Sequence, residues 1–137
     1  MANPLLREGP LPAFVHGGIE YVAGILFIAA PTALSFEESS NSTVVSLVVG
    51  IVILIVAASS ALPTGLMKTI PIYVHLVLDF VLAVFLIGAP FVFDFVDDKS
   101  ALVFFLVVGV AHLLITIATR FERAPAASRP AGSAPRR

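Results

Sequence analysis

Four long runs of apolar residues, separated by short polar segments, dominate the chain. They cover residues 13–34, 43–61, 70–93 and 101–119. Each run is close to the roughly 20 residues that an α-helix needs to cross a hydrocarbon core about 30 Å thick. Because a chain within lipid must satisfy its own backbone hydrogen bonds, the pattern predicts four transmembrane helices. The expected fold class is therefore all-α, a transmembrane four-helix bundle.

The polar segments between these runs give the expected boundaries. Residues 1–12 precede the first helix, and residues 35–42 form a polar, acidic loop. Residues 62–69 contain Pro and Gly, which mark a turn, and residues 94–100 are again acidic. Residues 120–137 are rich in Arg, Ala and Pro and contain little to bury, so this tail is predicted to be disordered.

Lysine and arginine lie almost entirely on one side of the expected bundle. Of the eight basic residues, seven fall before the first helix, between the second and third helices, or after the fourth. Only Lys99 falls on the opposite side. The positive-inside rule then places the N-terminus, the middle loop and the tail in the cytoplasm. The expected localisation is the plasma membrane, as a multi-pass protein.

The sequence aligns with itself, without a gap, at an offset of 59 residues. From residue 12 to residue 54, 14 of 43 positions are identical. The identities include a histidine, two prolines and a glycine, and Glu20 is matched by Asp79. The chain is therefore interpreted as two repeats of two helices each, residues 13–61 and residues 70–119. Since both repeats enter the membrane in the same direction, we expect a pseudo-two-fold axis along the membrane normal.

Two kinds of residue are expected to shape the helices. Pro31 and Pro90 lie near the outer ends of the first and third helices. Each lacks a backbone donor and clashes with the preceding turn, so both prolines are predicted to terminate these helices.

Small residues let helices approach closely in lipid. The predicted packing positions are Gly24, Gly50, Ala83 and Gly109.

Each repeat carries a histidine and an acidic residue four positions apart, His16 with Glu20 and His75 with Asp79. This spacing places each pair on one helix face, and the repeat symmetry predicts that the two pairs face each other inside the bundle. Two imidazoles and two carboxylates could hold a divalent metal such as zinc, or relay protons. They could also act only as interhelical hydrogen bonds, worth about 0.6 kcal/mol each. His112 has no counterpart in the first repeat and is expected to be a lone structural histidine facing the bundle.

Polar residues near the helix ends have simpler interpretations. Ser59, Ser60, Thr116 and Thr119 are expected to hydrogen-bond back to their own helices. The basic tail, lying beside the inner leaflet, would be attracted to anionic lipid by about 1 kcal/mol per residue, or would serve only to set the topology. The predicted lipid contacts are Arg120, Arg123, Arg129, Arg136 and Arg137.

The proline of each repeat stands among small residues, in residues 29–32 (AAPT) and 88–91 (GAPF). A tandem two-helix membrane unit whose first helix closes with a proline motif resembles the SPW-repeat integral membrane proteins of bacteria. The resemblance covers about residues 12–119, although neither copy has Ser before the Pro or Trp after it. It implies the duplicated membrane architecture and no particular activity.

Composition narrows the chemistry that the chain can perform. It contains no cysteine, which excludes disulfides, thiolate metal sites and cysteine nucleophiles. The formal net charge is −1, and no cluster of basic and aromatic residues indicates a nucleic-acid partner. No serine elbow, phosphate loop, HExxH motif or dinucleotide fingerprint is present in the sequence.

We therefore expect a non-enzymatic structural or interaction component of the membrane, with no cofactor. Its expected partners are the lipid bilayer and a second copy or a larger membrane complex. One alternative is a transporter or channel for protons or a small cation that uses the duplicated His–acid pairs. The other alternative is a metal-dependent membrane enzyme, which ranks last because the sequence offers no nucleophile.

Overall fold

The computed structural model describes residues 9–36 and 41–121. Its helices are α1 (Ala13–Ala33), α2 (Asn41–Ser59), α3 (Ile72–Val92) and α4 (Lys99–Ala118). The helix ends lie within two residues of the ends of the apolar runs in the sequence. Most of the arginine-rich tail falls outside the described part of the chain.

Each of the four helices is long and apolar enough to cross a membrane. They contain 19 to 21 residues, which corresponds to roughly 30 Å at 1.5 Å per residue. Large apolar side chains such as Val22, Val84 and Val107 are exposed on the outer faces, as a surface in contact with lipid requires. The fold is therefore an all-α, membrane-spanning four-helix bundle, which confirms the predicted class.

The buried positions of the two halves recur at the offset of 59 residues. α1 buries positions 16, 20, 24, 27 and 30, and α3 buries positions 75, 79, 83, 86 and 89. α1 packs most extensively on α2, and α3 on α4, whereas contacts between α2 and α3 and between α1 and α4 are sparse. The bundle thus consists of two equivalent helix pairs, the arrangement that parallel repeats adopt about an axis along the membrane normal.

The small residues named from the sequence lie at contacts within each helix pair. A Cβ atom added to Gly50 would lie 2.7 Å from the carbonyl oxygen of Gly24. A Cβ atom added to Gly109 would lie 2.9 Å from Cγ1 of Ile87, and Ala83 is fully buried. In lipid, such close backbone approach provides much of the van der Waals packing that holds helices together.

Aromatic side chains join the two repeats at the end of the bundle opposite the chain termini. The ring centroid of Phe27, on α1, lies 4.8 Å from that of Phe104 and 5.3 Å from that of Phe105, both on α4. Phe95 and Phe36 extend the cluster, at 5.1 Å from Phe105 and 5.9 Å from Phe104 respectively. Most of these pairs are edge-to-face, the favoured geometry for aromatic rings. Apolar packing therefore dominates this end, beside a buried hydrogen bond from Ser42 to Asp98.

The two helix prolines do not end their helices. α1 continues through Pro31, and α3 through Pro90, for two residues in each case. The prediction that they terminate these helices is therefore wrong. A proline leaves the carbonyl four residues earlier without its helical donor. In α1 that carbonyl belongs to Phe27, and it accepts a hydrogen bond from Ser46 Oγ at 2.6 Å, so α2 supplies the missing donor.

The actual helix ends are left-handed turns that recur in both repeats. Ser35 and Asp94 have φ values of 52° and 54°. The following N–H groups, of Phe36 and Phe95, bond to the carbonyls of the two helix prolines at 3.0 and 2.9 Å. Both phenylalanines are buried. This is the hydrogen-bond pattern of a Schellman motif with its apolar contact, and it explains why the helices pass the prolines before ending.

At the opposite end, which we call the terminal end, short parallel pairings connect the repeats. β1 (Leu11–Pro12) pairs with β2 (Thr119–Arg120), and Ser60 pairs with Ile70 in the same parallel sense. The two pairings are again 59 residues apart. Neither pairing is predicted from the sequence. One pairing holds the start of α1 against the segment after α4, and the other holds the start of α3 against the segment after α2. Buried polar residues of the bundle lie at this end.

A candidate metal centre

The four residues singled out by the repeat meet inside the bundle at the terminal end. His16 and Glu20 lie in the first two turns of α1, and His75 and Asp79 occupy the equivalent turns of α3. All four side chains are buried, with at most 4% of their surface exposed. Helix periodicity places each pair on one face, and the packing of the repeats turns both faces inward.

The contacts across the repeats are as short as those within them. His16 Nε2 lies 3.1 Å from Asp79 Oδ2, and His75 Nε2 lies 3.4 Å from Glu20 Oε1. Within each helix, the Nε2–carboxylate distances are 3.8 Å in α1 and 3.4 Å in α3. One atom from each of the four residues lies within 4.8 Å of the other three. We call these four atoms, the two Nε2 atoms, Glu20 Oε1 and Asp79 Oδ2, the His–carboxylate cage.

A hydroxyl group orients the imidazole of His75. Ser60 Oγ donates its single proton to the carbonyl of Val56 at 2.6 Å, the bond back to its own helix that the sequence predicts. The same oxygen lies 2.7 Å from His75 Nδ1. Since the hydroxyl proton is already committed, Ser60 accepts a hydrogen bond and Nδ1 carries the proton. When His75 is neutral, its Nε2 atom then presents a lone pair to the cage.

The second repeat orients His16 in the same way. Thr119 Oγ1 donates to the carbonyl of Ile115 at 2.6 Å and accepts from His16 Nδ1 at 2.9 Å. Ser60 and Thr119 are equivalent positions of the two repeats, so each repeat positions the histidine of the other. Histidines that bind metals nearly always donate their second ring N–H to such a partner. This second contact was not predicted from the sequence, although Ser60 and Thr119 align when the repeat is extended six residues beyond residue 54.

The spacing of the cage is compatible with a metal ion, and three of its four N–O contacts are longer than good hydrogen bonds. Good N–H···O bonds measure about 2.7–3.2 Å, and Nε2 of His16, Nε2 of His75 and Asp79 Oδ2 have no hydrogen-bond partner among the described residues. Ligands bound tetrahedrally at 2.0–2.1 Å, as zinc binds nitrogen and oxygen, are roughly 3.3 Å apart. The four N–O contacts, from 3.1 to 3.8 Å, bracket that separation.

His112 lies beside this centre, so it is not isolated as the sequence suggested, while its expected structural role stays a prediction. Its Nε2 atom lies 3.7 Å from Asp79 Oδ1, the carboxylate oxygen outside the cage. His112 is 8% exposed, and its ring centroid is 6.3 Å from that of His16. Because α4 packs directly on α3, a residue on its inner face reaches Asp79. Repeat symmetry could not indicate this role, since the equivalent residue in α2 is Ile53.

Phe121, the residue after β2, covers the His–carboxylate cage on the side of the terminal end. Phe121 is 3% exposed, and its ring centroid lies 5.2 Å from that of His16 and 6.2 Å from that of His75. Leu62, its equivalent in the first repeat, is buried in the same apolar cluster. Arg120 and Phe121, the first two residues of the tail predicted to be disordered, are therefore ordered, and the rest of that tail lies outside the described residues.

Of the five arginines predicted to contact lipid, the described residues include only Arg120. Its side chain is exposed, and Nε donates to the carbonyl of Gly9 at 3.2 Å. The other four lie outside the described residues. Arg120 thus fastens the N-terminal segment to the end of α4, a role that the sequence analysis did not anticipate.

A groove between α2 and α3 opens on one side of the bundle. It has a volume of about 270 Å³, and apolar side chains such as Val52, Val56 and Val81 line most of it. Glu20 and Asp79 also line it. The groove lies where contacts between the repeats are sparse, so the centre is screened from the bilayer there mainly by aliphatic side chains.

A tandemly duplicated pair of membrane-spanning helices around a shared polar centre defines the class, a small multi-pass membrane protein with internal repeats. The model of the SPW repeat domain matches residues 14–119, which is most of the chain. The protein therefore belongs to the SPW repeat family, and the resemblance found in its sequence is confirmed. None of the curated proteins and none of the solved structures matches it.

Proposed function

We propose that this protein is a non-enzymatic membrane component whose bundle holds one divalent transition-metal ion, with zinc the best fit, in the His–carboxylate cage. The observation that carries the proposal is the geometry of the cage. The four N–O distances among its buried donor atoms lie on both sides of the separation expected in a tetrahedral zinc site, and both imidazoles are oriented with Nε2 inward. Nitrogen and carboxylate ligands of this kind are common zinc ligands.

The charge of the cage supports a divalent ion. Glu20 and Asp79 are both at least 96% buried within membrane-spanning helices, where an uncompensated charge costs about 2.5–3.5 kcal/mol even on the mildest scales. Two carboxylates and two neutral imidazoles around a divalent cation form a centre of net charge zero. A bound ion therefore removes the cost of keeping both acids ionised in the bundle.

The number of protein ligands supports a structural role. Structural zinc sites have four protein ligands, whereas catalytic sites keep one position for water or substrate. The cage supplies four, two from each repeat. Because α1 and α4, and likewise α2 and α3, make few close contacts, an ion bound to all four residues would add a cross-link between the two halves of the bundle.

Metal binding can be tested on protein purified in detergent without chelator. We expect elemental analysis to find about one zinc ion per chain, and saturating Zn²⁺ to raise the melting temperature of chelator-treated protein. Free ion at 100 times Kd corresponds to about 2.7 kcal/mol of stabilisation. Mg²⁺, which prefers six oxygen ligands, serves as the control and should have no effect. A folded, metal-free protein whose melting temperature Zn²⁺ leaves unchanged would refute the proposal.

The proposal places the terminal end at the cytoplasmic face of the plasma membrane, on the basis of the basic residues that flank the helices. Because the chain contains no cysteine, single cysteines report topology cleanly. We expect an impermeant maleimide to label Asp97→Cys in intact cells and Leu66→Cys only after permeabilisation. Both positions are exposed loop residues on opposite sides of the bundle. Labelling in the reverse order would invert the topology.

The partners in this proposal are the bilayer itself and a second copy or a larger membrane complex. The exposed outer faces of the helices are apolar, and in lipid they can pack against other helices as readily as against acyl chains. The arginines of the tail remain the predicted contacts with anionic lipid headgroups.

A further inference from the structure

The two repeats differ at a buried position directly beside the metal centre. In α4 this position is His112, whose Nε2 atom faces Asp79 Oδ1 at 3.7 Å. In α2 the equivalent position is Ile53, which is 4% exposed and lines the groove between α2 and α3. The near-symmetric cage is therefore set in asymmetric surroundings.

This asymmetry makes the two carboxylates inequivalent. One carboxylate oxygen of Asp79, Oδ2, belongs to the cage, and the other, Oδ1, faces Nε2 of His112. Glu20 has one oxygen in the cage, but its second oxygen, Oε2, is buried and has no hydrogen-bond partner among the described residues. Glu20 also lines the groove, and the residue that could have supported it there is the aliphatic Ile53.

We propose that His112 is a positioning residue that holds Asp79 as the firm carboxylate ligand, and that Glu20 is the ligand that detaches. Detachment opens a coordination position at the groove for a small monodentate donor. The proposal rests on the metal-binding function proposed above. A movement of about 0.8 Å brings His112 Nε2 from 3.7 Å to the roughly 2.9 Å of a hydrogen bond to Asp79. Such outer partners orient metal ligands, and their loss typically lowers metal affinity about 10- to 100-fold.

The repeats themselves provide the matched variants. Zn²⁺ affinity is measured by chelator competition in detergent, first for Glu20→Gln and Asp79→Asn in the natural background. We expect Asp79→Asn to weaken binding at least about tenfold more than Glu20→Gln. Glu20→Gln and Asp79→Asn are then measured again in a protein that also carries His112→Ile and Ile53→His, so that the histidine moves from α4 to α2. There the order is expected to reverse, because the imidazole now stands on the side of Glu20.

Two further measurements separate positioning from a general loss of structure. His112→Gln retains an N–H donor for Asp79 and should recover most of the affinity that His112→Ile loses, the loss being about 10- to 100-fold. With Co²⁺ in place of zinc, the visible spectrum of Glu20→Gln should change when azide is added, since azide takes the open position. The spectrum of Asp79→Asn should not respond in this way.

The outcomes distinguish this inference from the function on which it rests. If the natural protein binds zinc but Glu20→Gln and Asp79→Asn weaken binding equally, or the exchanged background does not reverse their order, the inference fails and the metal site stands. If the natural protein binds no metal, both fail. Because the comparison of the two amide variants in the natural background does not require a substitution at His112, it remains decisive even if the exchanged protein does not fold.

Discussion

Replacing His75 with Ala is expected to lower the affinity of the purified protein for Zn²⁺ by more than about 100-fold, since loss of an outer partner alone costs about 10- to 100-fold. The substitution removes one of the four cage donors, and with it the Nδ1–H···Oγ bond to Ser60. By repeat symmetry His16→Ala should behave alike. Chelator competition gives the affinity, and the metal-induced rise in melting temperature should disappear with it.

Leu76, the neighbour of His75, provides a control for the cavity that His75→Ala leaves. Leu76 is 2% exposed on the same helix turn and packs with Leu62 and Phe121. Leu76→Ala should lower the free energy of unfolding by about 2–5 kcal/mol and leave zinc affinity close to that of the natural protein. If the two variants lose zinc affinity equally, the effect of His75→Ala reflects damaged packing and not a lost ligand.

Hydropathy and self-similarity were sufficient to predict most of the fold. The four helices follow from the apolar runs because a spanning segment leaves no alternative to helix. The meeting of His16 and Glu20 with His75 and Asp79 follows from two facts that the sequence contains. A spacing of four residues places each pair on one helix face, and a repeat at a fixed offset turns both faces toward the same axis.

The parts that could not be predicted depend on contacts that break or cross the repeat. His112 joins the centre through the packing of α4 on α3, and no counterpart in α2 signals its role. Phe121 is a single large apolar residue at the start of a polar tail, and its burial comes from contacts with the rings of His16 and His75, which no local pattern signals. The apolar runs end next to Ser35 and Asp94, but the left-handed turns at these two residues were not predicted, because glycine is the usual sequence signal for a positive φ.

Glu20→Gln combined with Asp79→Asn is expected to abolish zinc binding while leaving the fold intact. The amides have almost the same shape as the carboxylates, so the packing around them is kept. They remove both negative charges from the cage, and with these the attraction for a divalent cation. We expect zinc affinity to fall by more than about 100-fold, the upper end of what losing an outer partner costs, and the stabilisation by Zn²⁺ to vanish with it.

The behaviour of the same variant without metal decides between a metal centre and a set of interhelical ion pairs. In the metal-free natural protein, two buried carboxylates lie next to imidazoles at distances mostly too long for good hydrogen bonds, and burying such acids in a membrane span is costly. The double amide variant, in excess chelator, should therefore melt at or above the temperature of the natural protein. If the carboxylates serve instead as partners of protonated histidines, removing both charges breaks the contacts that join α1 to α3, and the variant should melt lower. A thermal melt of the two proteins in chelator, monitored by helical circular dichroism, separates these cases because it requires no metal and no assay of activity.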